Sequence, residues 1–273
     1  MNKRSVLCHY HIYKNAGTTF ERVLDENYGE QHLSFDGPFP FSQINQDQLT
    51  NIIDRHPSAM ACSSHQIHLP APSSISFRPI PVVFIRHPML RIRSVYLFDQ
   101  RGNRLLRAIR RDDALAGLEE WIKSLLSGRK NTLQINNLQT GMLCRGYNQP
   151  PRRENRGGRV VYDIQTAVNN LTLVPCLGRT EHFDHDVASF ELILEEYDFP
   201  FSYKPRKAEN VSAPDHGDPV EKQLQAMKDS ISKETWEKLQ WLNHQDLELY
   251  GITEEIIEDR LNSGLRIPVA KEI

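Results

Sequence analysis

Ser5-Val6-Leu7-Cys8-His9-Tyr10-His11-Ile12-Tyr13-Lys14-Asn15-Ala16-Gly17-Thr18-Thr19-Phe20-Glu21-Arg22-Val23-Leu24-Asp25-Glu26-Asn27 is the stretch on which the fold turns. Ser5 to Tyr13 alternates imperfectly and reads as a buried strand, while Phe20 to Asn27 carries the apolar spacing of a helix. Lys14 to Thr19 joins them as a tight loop. A glycine and two threonines at such a turn let the backbone approach an anion, the first free N–H groups of the helix point at it, and Lys14 adds the balancing charge. The order differs from that of a nucleoside-triphosphatase loop, in which Lys follows the last Gly and directly precedes Ser or Thr, because Lys14 comes before Gly17. Taken alone, the segment also fits a plain strand-to-helix turn with a surface lysine.

A second segment sharpens the first. Val82-Val83-Phe84-Ile85 delivers Arg86 to the end of a buried strand, and His87-Pro88-Met89-Leu90-Arg91-Ile92-Arg93-Ser94 starts a helix with Pro88 in its first turn. An arginine at the strand end and a serine about two turns into the helix converge on one phosphate, the first by a forked contact and the second by its hydroxyl. Ligands of open α/β sheets sit at the carboxyl ends of strands, where both segments place their polar groups. Two anion sites imply a doubly phosphorylated ligand.

Outward from these segments the chain alternates strand and helix. Gln46 to Arg55 reads as a short helix, Ala59 to Ser63 as a strand ending in Ser64-His65-Gln66-Ile67-His68, Pro70 to Pro81 as a turn-rich passage and Pro81 to Arg86 as a strand. Arg91 to Arg111, Ala114 to Leu126 and Asn131 to Leu143 follow as helices, Tyr147 to Gly158 as a Pro-, Gly- and Arg-rich loop, and Tyr162 to Leu171 as a helix. Thr172 to Leu177 reads as a strand, Glu181 to Tyr197 as a helix capped by Thr180, Lys204 to Asp218 as a polar linker, and Pro219 to Leu261 as a closing pair or trio of helices. Alternation of this kind predicts an α/β, P-loop-type three-layer fold with a central parallel sheet flanked by helices, formed by one domain over residues 1–273.

Composition narrows the class. The 273 residues are 39% apolar and 8% aromatic, ordinary values for a globular chain, and no apolar run approaches the roughly eighteen residues of a membrane span. Met1 to Cys8 has a basic pair and no apolar signal core, so a cytoplasmic location is expected. Cys8, Cys62, Cys144 and Cys176 stand singly, without the spacing of a zinc site or a disulfide framework, and read as reduced core thiols; no metal is expected. From Arg86 to Arg159 there are 16 Lys plus Arg against 6 Asp plus Glu, and from Thr180 to Ile273 there are 10 against 21. The basic middle is read either as a solvated helix face or as a device that concentrates anions. There is no internal repeat and no low-complexity tract.

His11 to Phe20 resembles the 5'-phosphosulfate loop of sulfotransferases that use 3'-phosphoadenosine 5'-phosphosulfate (PAPS), above all the carbohydrate and heparan sulfate 2-O-sulfotransferase-like branch and its bacterial relatives, whose usual form is H-I-P-K-T-G-G-T-T. Tyr13 replaces the common Pro. Arg86-His87-Pro88 with Arg91 and Ser94 is similar to the family's 3'-phosphate motif, R-D-P, then R, then S, with His87 in place of Asp. Gly178 to Glu181, Asn210-Val211-Ser212 and Asp246 to Tyr250 resemble the family's strand-to-helix T-E element, late N-x-S loop and final D-L-x-x-Y helix. The likeness spans nearly the whole chain.

The resemblance implies that Lys14, Asn15, Ala16, Gly17, Thr18 and Thr19 hold the 5'-phosphosulfate, that Arg86 and Ser94 hold the 3'-phosphate, with Asn210 and Ser212 completing the nucleotide site, and that PAP is the product. Sulfuryl transfer needs in-line positioning and neutralisation of the leaving oxygen, the part expected of Lys14. The acceptor must lose a proton to a base that titrates near neutrality. His65 looks like the counterpart of the family's catalytic His; His68 stands in reserve, a carboxylate base is open at Asp36 or Glu21, and His9 and His11 read as packing. The expected acceptor is a small molecule, natural product or saccharide offering a hydroxyl or amine, with no nucleic-acid partner. A nucleotide kinase or NTPase, and a non-catalytic anion- or glycan-binding module, are the rival readings.

Overall fold

The computed structural model describes residues 3–37, 43–102, 115, 117–127, 132–144, 152–153, 158–205 and 217–264. Its strands are β1 (Arg4–Tyr10), β2 (His32–Ser34), β3 (Ala61–Ser64), β4 (Phe77–Ile85), β5 (Arg152–Arg153), β6 (Val160–Val161) and β7 (Cys176–Arg179). Its helices are α1 (Gly17–Tyr28), α2 (Gln46–Asp54), α3 (Pro88–Gly102), α4 (Leu118–Ser127), α5 (Leu138–Cys144), α6 (Ile164–Thr172), α7 (Phe183–Glu195), α8 (Val220–Asp229), α9 (Lys233–Leu242) and α10 (His244–Asn262). Among the described residues no helix is long and apolar enough to cross a membrane.

Five strands form one sheet in the order β2-β3-β1-β4-β7, parallel throughout. Side-chain parity along the two central strands builds its faces. Val6, Cys8 and Tyr10 of β1 and Phe77, Val83 and Ile85 of β4 join one core with Leu49 and Ile53 of α2, Ala167 and Leu171 of α6 and Leu249 of α10. Leu7 of β1 and Ile80, Val82 and Phe84 of β4 meet Phe20 and Leu24 of α1 and Phe190 and Leu194 of α7 on the other side. The expected three layers are therefore present. A third apolar cluster, with Met89, Ile92, Leu118, Ile122, Met227 and Leu239, ties α3, α4, α8 and α9 together beside the sheet.

Several boundaries differ from the sequence expectation. β4 starts at Phe77, inside the passage read as turns, and carries Pro79 and Pro81. It is central only from Val82 onward, where its pairing with β7 begins, so the prolines sit where one flank makes no ladder demand. β7 begins at Cys176 rather than Thr172. Thr180 does not cap the following helix: it opens a 3₁₀ turn, Thr180–His182, ahead of α7, and its hydroxyl has no hydrogen-bond partner. Arg152–Arg153, expected within a loop, pairs antiparallel with Val160–Val161. Most of that loop and positions 206–216 of the polar linker lie outside the described residues, as do 103–111 of the expected helix Arg91 to Arg111. All four cysteines are buried thiols outside any disulfide, as expected.

The helix expected over Asn131 to Leu143 is two elements, a 3₁₀ turn at Thr132–Ile135 and α5, broken at Asn137 with φ 49°. The break serves the end of the sheet. Asn137 Oδ1 accepts from the backbone N–H of Gln245 (3.1 Å) and Asp246 (3.3 Å) at the buried start of α10. In return Asp246 Oδ1 accepts from Thr140 N (2.8 Å) and Thr140 Oγ1 (2.7 Å) and its Oδ2 from Gln139 N (3.1 Å), so each helix start is satisfied by the other's side chain. Asp246 is fully buried. Asp246→Ala is expected to cost roughly 3 kcal/mol, since it orphans three buried donors beside the cationic Arg91; equilibrium urea unfolding measures this, and a loss below about 1 kcal/mol would reduce the clasp to an incidental contact.

Candidate active site

The chain leaves β1 through Ile12 and enters α1 by an unusual backbone path. Lys14 (φ 68°) and Ala16 (φ 60°) are left-handed although neither is glycine, a strained arrangement that persists where surrounding contacts enforce it. Asn15, between them, supplies the enforcement: its Nδ2 donates to Phe84 O and Gln139 Oε1, both at 2.7 Å, so the loop is riveted to the end of β4. Asn15 is 1% exposed and lies beneath the loop, whereas Lys14 and Ala16 to Thr19 line the pocket above it. Ala16 caps α1 without a side chain and the first turn holds no acid, which leaves that turn's amides and the helix dipole to an anion. Gly17 is required by space: a Cβ there would stand 2.0 Å from His11 Nε2.

Arg86 ends β4 and turns back under the same loop. Its Nη1 donates to Lys14 O at 3.0 Å, its Nε stands 3.6 Å from Glu181 Oε1 and has no hydrogen-bond partner, and its main chain is clamped by Gln139 at 2.9 and 2.8 Å. Burial lowers the Arg86 pKa, opposed by Glu181, and burial raises that of Glu181, opposed by Arg86; neither group is solvated enough to stand without the other.

α3 then runs past the loop. Leu90, Arg93, Ser94, Leu97 and Phe98, spaced i, i+3, i+4, i+7 and i+8, all face the pocket. Arg91 does not. It is fully buried, donates through Nη2 to Gln134 O, and burial brings its pKa down to about 10. Arg93, which sequence reading passed over, is the cation that α3 gives the pocket. The helical stripe was the available signal, since Arg93 and Ser94 share it and Arg91 falls off it. The basic middle of the chain thus contributes Arg86 and Arg93 to an anion-facing wall.

Opposite stands His65, just past β3. Asp36 Oδ1 accepts its backbone N–H at 2.9 Å and Asp36 Oδ2 faces its Nδ1 at 3.1 Å. A carboxylate there fixes the Nδ1–H tautomer and leaves Nε2 with the lone pair. His65 lies on the ring of His11, centroids 3.7 Å apart and 29° from coplanar. His11 Nδ1 meets Glu21 Oε1 at 3.2 Å; that oxygen also accepts from Ser63 Oγ at 2.9 Å, and Ser63 Oγ meets His9 Nδ1 at 2.6 Å. The serine hydroxyl and the Glu21 carboxylate thus join His9 and His11 as one hydrogen-bonded chain behind the pocket wall. His68 is held by Gln66 O at 2.9 Å and is absent from the pocket wall.

These elements enclose a pocket of about 850 Å³, with Lys14, Gly17 to Thr19, His65, Arg86, Arg93 and Ser94 on its walls, together with Arg22, His182, His185, Tyr203 and Lys204. The Lys14 ammonium stands 4.2 Å over the ring of Phe98. Asn210 and Ser212 lie outside the described residues.

Comparison with known proteins gives the family. A model of the sulfotransferase family matches residues 1–252, so the chain belongs to that family, whose members carry out sulfuryl transfer. It is also similar to an uncharacterized protein of Archaeoglobus fulgidus, 24% identical over 254 residues, which cover 90% of this chain and 95% of that one.

Proposed function

We propose that this member of the sulfotransferase family takes the sulfuryl group of PAPS to a hydroxyl or amine of a small-molecule, natural-product or saccharide acceptor, in the cytoplasm, and releases PAP. The observation that carries the reading is the meeting, in one pocket of about 850 Å³, of two anion-holding elements and an imidazole oriented by a carboxylate. The residues fit the donor. The open first turn of α1 and the glycine against His11 suit one anionic group, and Arg86, with a buried Nε in want of an acceptor, together with Ser94 suits another. PAPS, when bound, supplies the sulfuryl group.

In this scheme Ala16 to Thr19 hold the 5'-phosphosulfate through backbone amides and hydroxyls, with Asn15 as the rivet beneath them. Arg86, Ser94 and Arg93 hold the 3'-phosphate, and Asn210 and Ser212 are assigned to the nucleotide by family resemblance. His65 Nε2 removes the acceptor proton as the acceptor oxygen or nitrogen bonds to sulfur. Lys14 would neutralise the electron pair left on the 5'-phosphate oxygen as the sulfuryl group departs from it. Isothermal titration distinguishes this reading from a kinase or NTPase: PAP is expected to bind at micromolar Kd or tighter and ATP at least about ten-fold more weakly, roughly 1.4 kcal/mol. Tight ATP binding with indifference to PAP would overturn it. Incubation with PAPS and a panel of acceptors, read by mass spectrometry for an added sulfuryl group, identifies the acceptor; a non-catalytic binding module would return no sulfated product.

A further inference from the structure

Beside His65 the pocket wall holds another imidazole that the proposed transfer does not use. His11 is 4% exposed and yet reaches the wall beside His65. Both rings are gripped in the same manner, each with Nδ1 against a carboxylate, Asp36 for His65 at 3.1 Å and Glu21 for His11 at 3.2 Å. Gly17 abuts the other edge of His11, where even a methyl group would overlap Cδ2 and Nε2 at 2.0 Å. The ring is therefore fixed on two edges, and its face is the surface on which His65 lies at 3.7 Å. Core packing alone asks for an apolar ring at such a place. A hydrogen-bonded imidazole under a candidate base brings a second proton site within contact distance of the first.

We propose that His11, clamped by Glu21, is a positioning residue for His65: it is the platform that orients the ring, and by proximity it keeps His65 in the neutral, proton-accepting form. The inference rests on the reading of His65 as the base. Two cations at 3.7 Å repel strongly in a partly desolvated wall, which disfavours the protonated form of His65. The groups facing His65 are His11 and Tyr13 from the segment after β1, with Lys14 beside them and His9 of β1 behind His11, Glu21 from α1, and Asp36 from the segment after β2. Burial is the largest influence lowering the His65 pKa and His11 the next, while Asp36 and Glu21 act upward. Opposed carboxylates and a stacked imidazole give the three partners effects of opposite sign, and these separate an electrostatic role from a structural one.

The test is an NMR titration of histidine ring resonances in the full chain, with His65 assigned by the loss of its signal in His65→Ala, and PAP affinity measured in parallel. His11→Phe keeps the stacked ring and removes the second proton site; it is expected to raise the His65 midpoint by on the order of one pH unit, a ten-fold change in proton affinity. Glu21→Gln keeps both rings and is expected to lower it, so the inference stays testable if the phenylalanine variant does not fold. A midpoint unmoved in both variants, or moved in the same direction by both, overturns the proposal. The readout needs neither donor nor acceptor. Opposite shifts in a protein that ignores PAP would leave His11 in this role and sink the donor assignment instead, and tight PAP binding with an unmoved midpoint would do the reverse.

Discussion

Lys14→Ala is expected to lower kcat by about 10²- to 10³-fold while PAP affinity falls by no more than roughly ten-fold. The asymmetry follows from where the lysine is and what remains without it. The nucleotide's phosphates would keep the amides at the start of α1, with no acidic residue in the first turn, and the cations Arg86 and Arg93. Lys14 contributes a charge on the pocket wall, its ammonium standing 4.2 Å over Phe98, and in the proposed scheme that charge acts most where negative charge grows on the oxygen that loses the sulfuryl group. Alanine isolates that effect, because it retains the Cβ and so leaves the left-handed backbone at φ 68° as strained as before. Glycine would relax the loop and mix two causes. Arginine keeps a charge but spreads it over a planar fork, and is expected to restore only part of the rate. Initial rates at saturating PAPS, with PAP titration calorimetry on the same samples, decide the matter. A kcat within a few-fold of the parent would remove Lys14 from the chemistry, and a PAP affinity lost in proportion to kcat would make it a binding group only.

The cradle around Lys14 was legible because its residue types are tied to one task and sit at the junction of two periodicities, one of a strand and one of a helix. The parallel sheet was legible for the same reason, since Val82 to Ile85 is buried on both faces and gives an unbroken apolar run. Features set by a distant partner could not be read locally. Asn131 to Leu143 has uniform helical character, and only the buried start of α10, more than a hundred positions on, makes Asn137 turn aside to serve it. Thr180 fits a capping rule that a 3₁₀ turn at Thr180–His182 pre-empts. Arg91 and Arg93 are equal as letters in a motif, and the helical stripe through Leu90, Ser94, Leu97 and Phe98 separates them once the direction of the pocket is known. His11 was read as packing; it is buried, and its contact with His65 depends on two segments, one after β1 and one after β3, brought side by side by the pairing of Tyr10 with Ser64.

That pairing leads to the other large effect. His65→Ala is expected to lower kcat by about 10³-fold, within the usual range for a positioned base, and to leave PAP affinity near its parent value. Nothing in the arrangement makes His65 a prop for the fold: its side chain is 39% exposed, its backbone N–H keeps the bond to Asp36 whatever the side chain, and it lies upon His11 at the pocket wall. What it supplies is a lone pair at Nε2, held there because Asp36 occupies Nδ1. A base works in its neutral form, so the rate falls as the pH drops through the pKa of His65 in the complex. Burial, with His11 next, lowers that pKa from the ordinary 6.5 against the pull of Asp36 and Glu21, which places the acid limb of the rate profile below that value and leaves the base free at neutral pH. Asp36→Asn removes an upward influence and should move the limb lower still while reducing kcat, because the ring loses its anchor. In His65→Ala the limb should disappear, the residual rate should climb with hydroxide concentration, and added imidazole should restore part of the turnover by occupying the space over His11. Full activity in His65→Ala with its acid limb intact would transfer the role of base to His11 or to one of the two carboxylates.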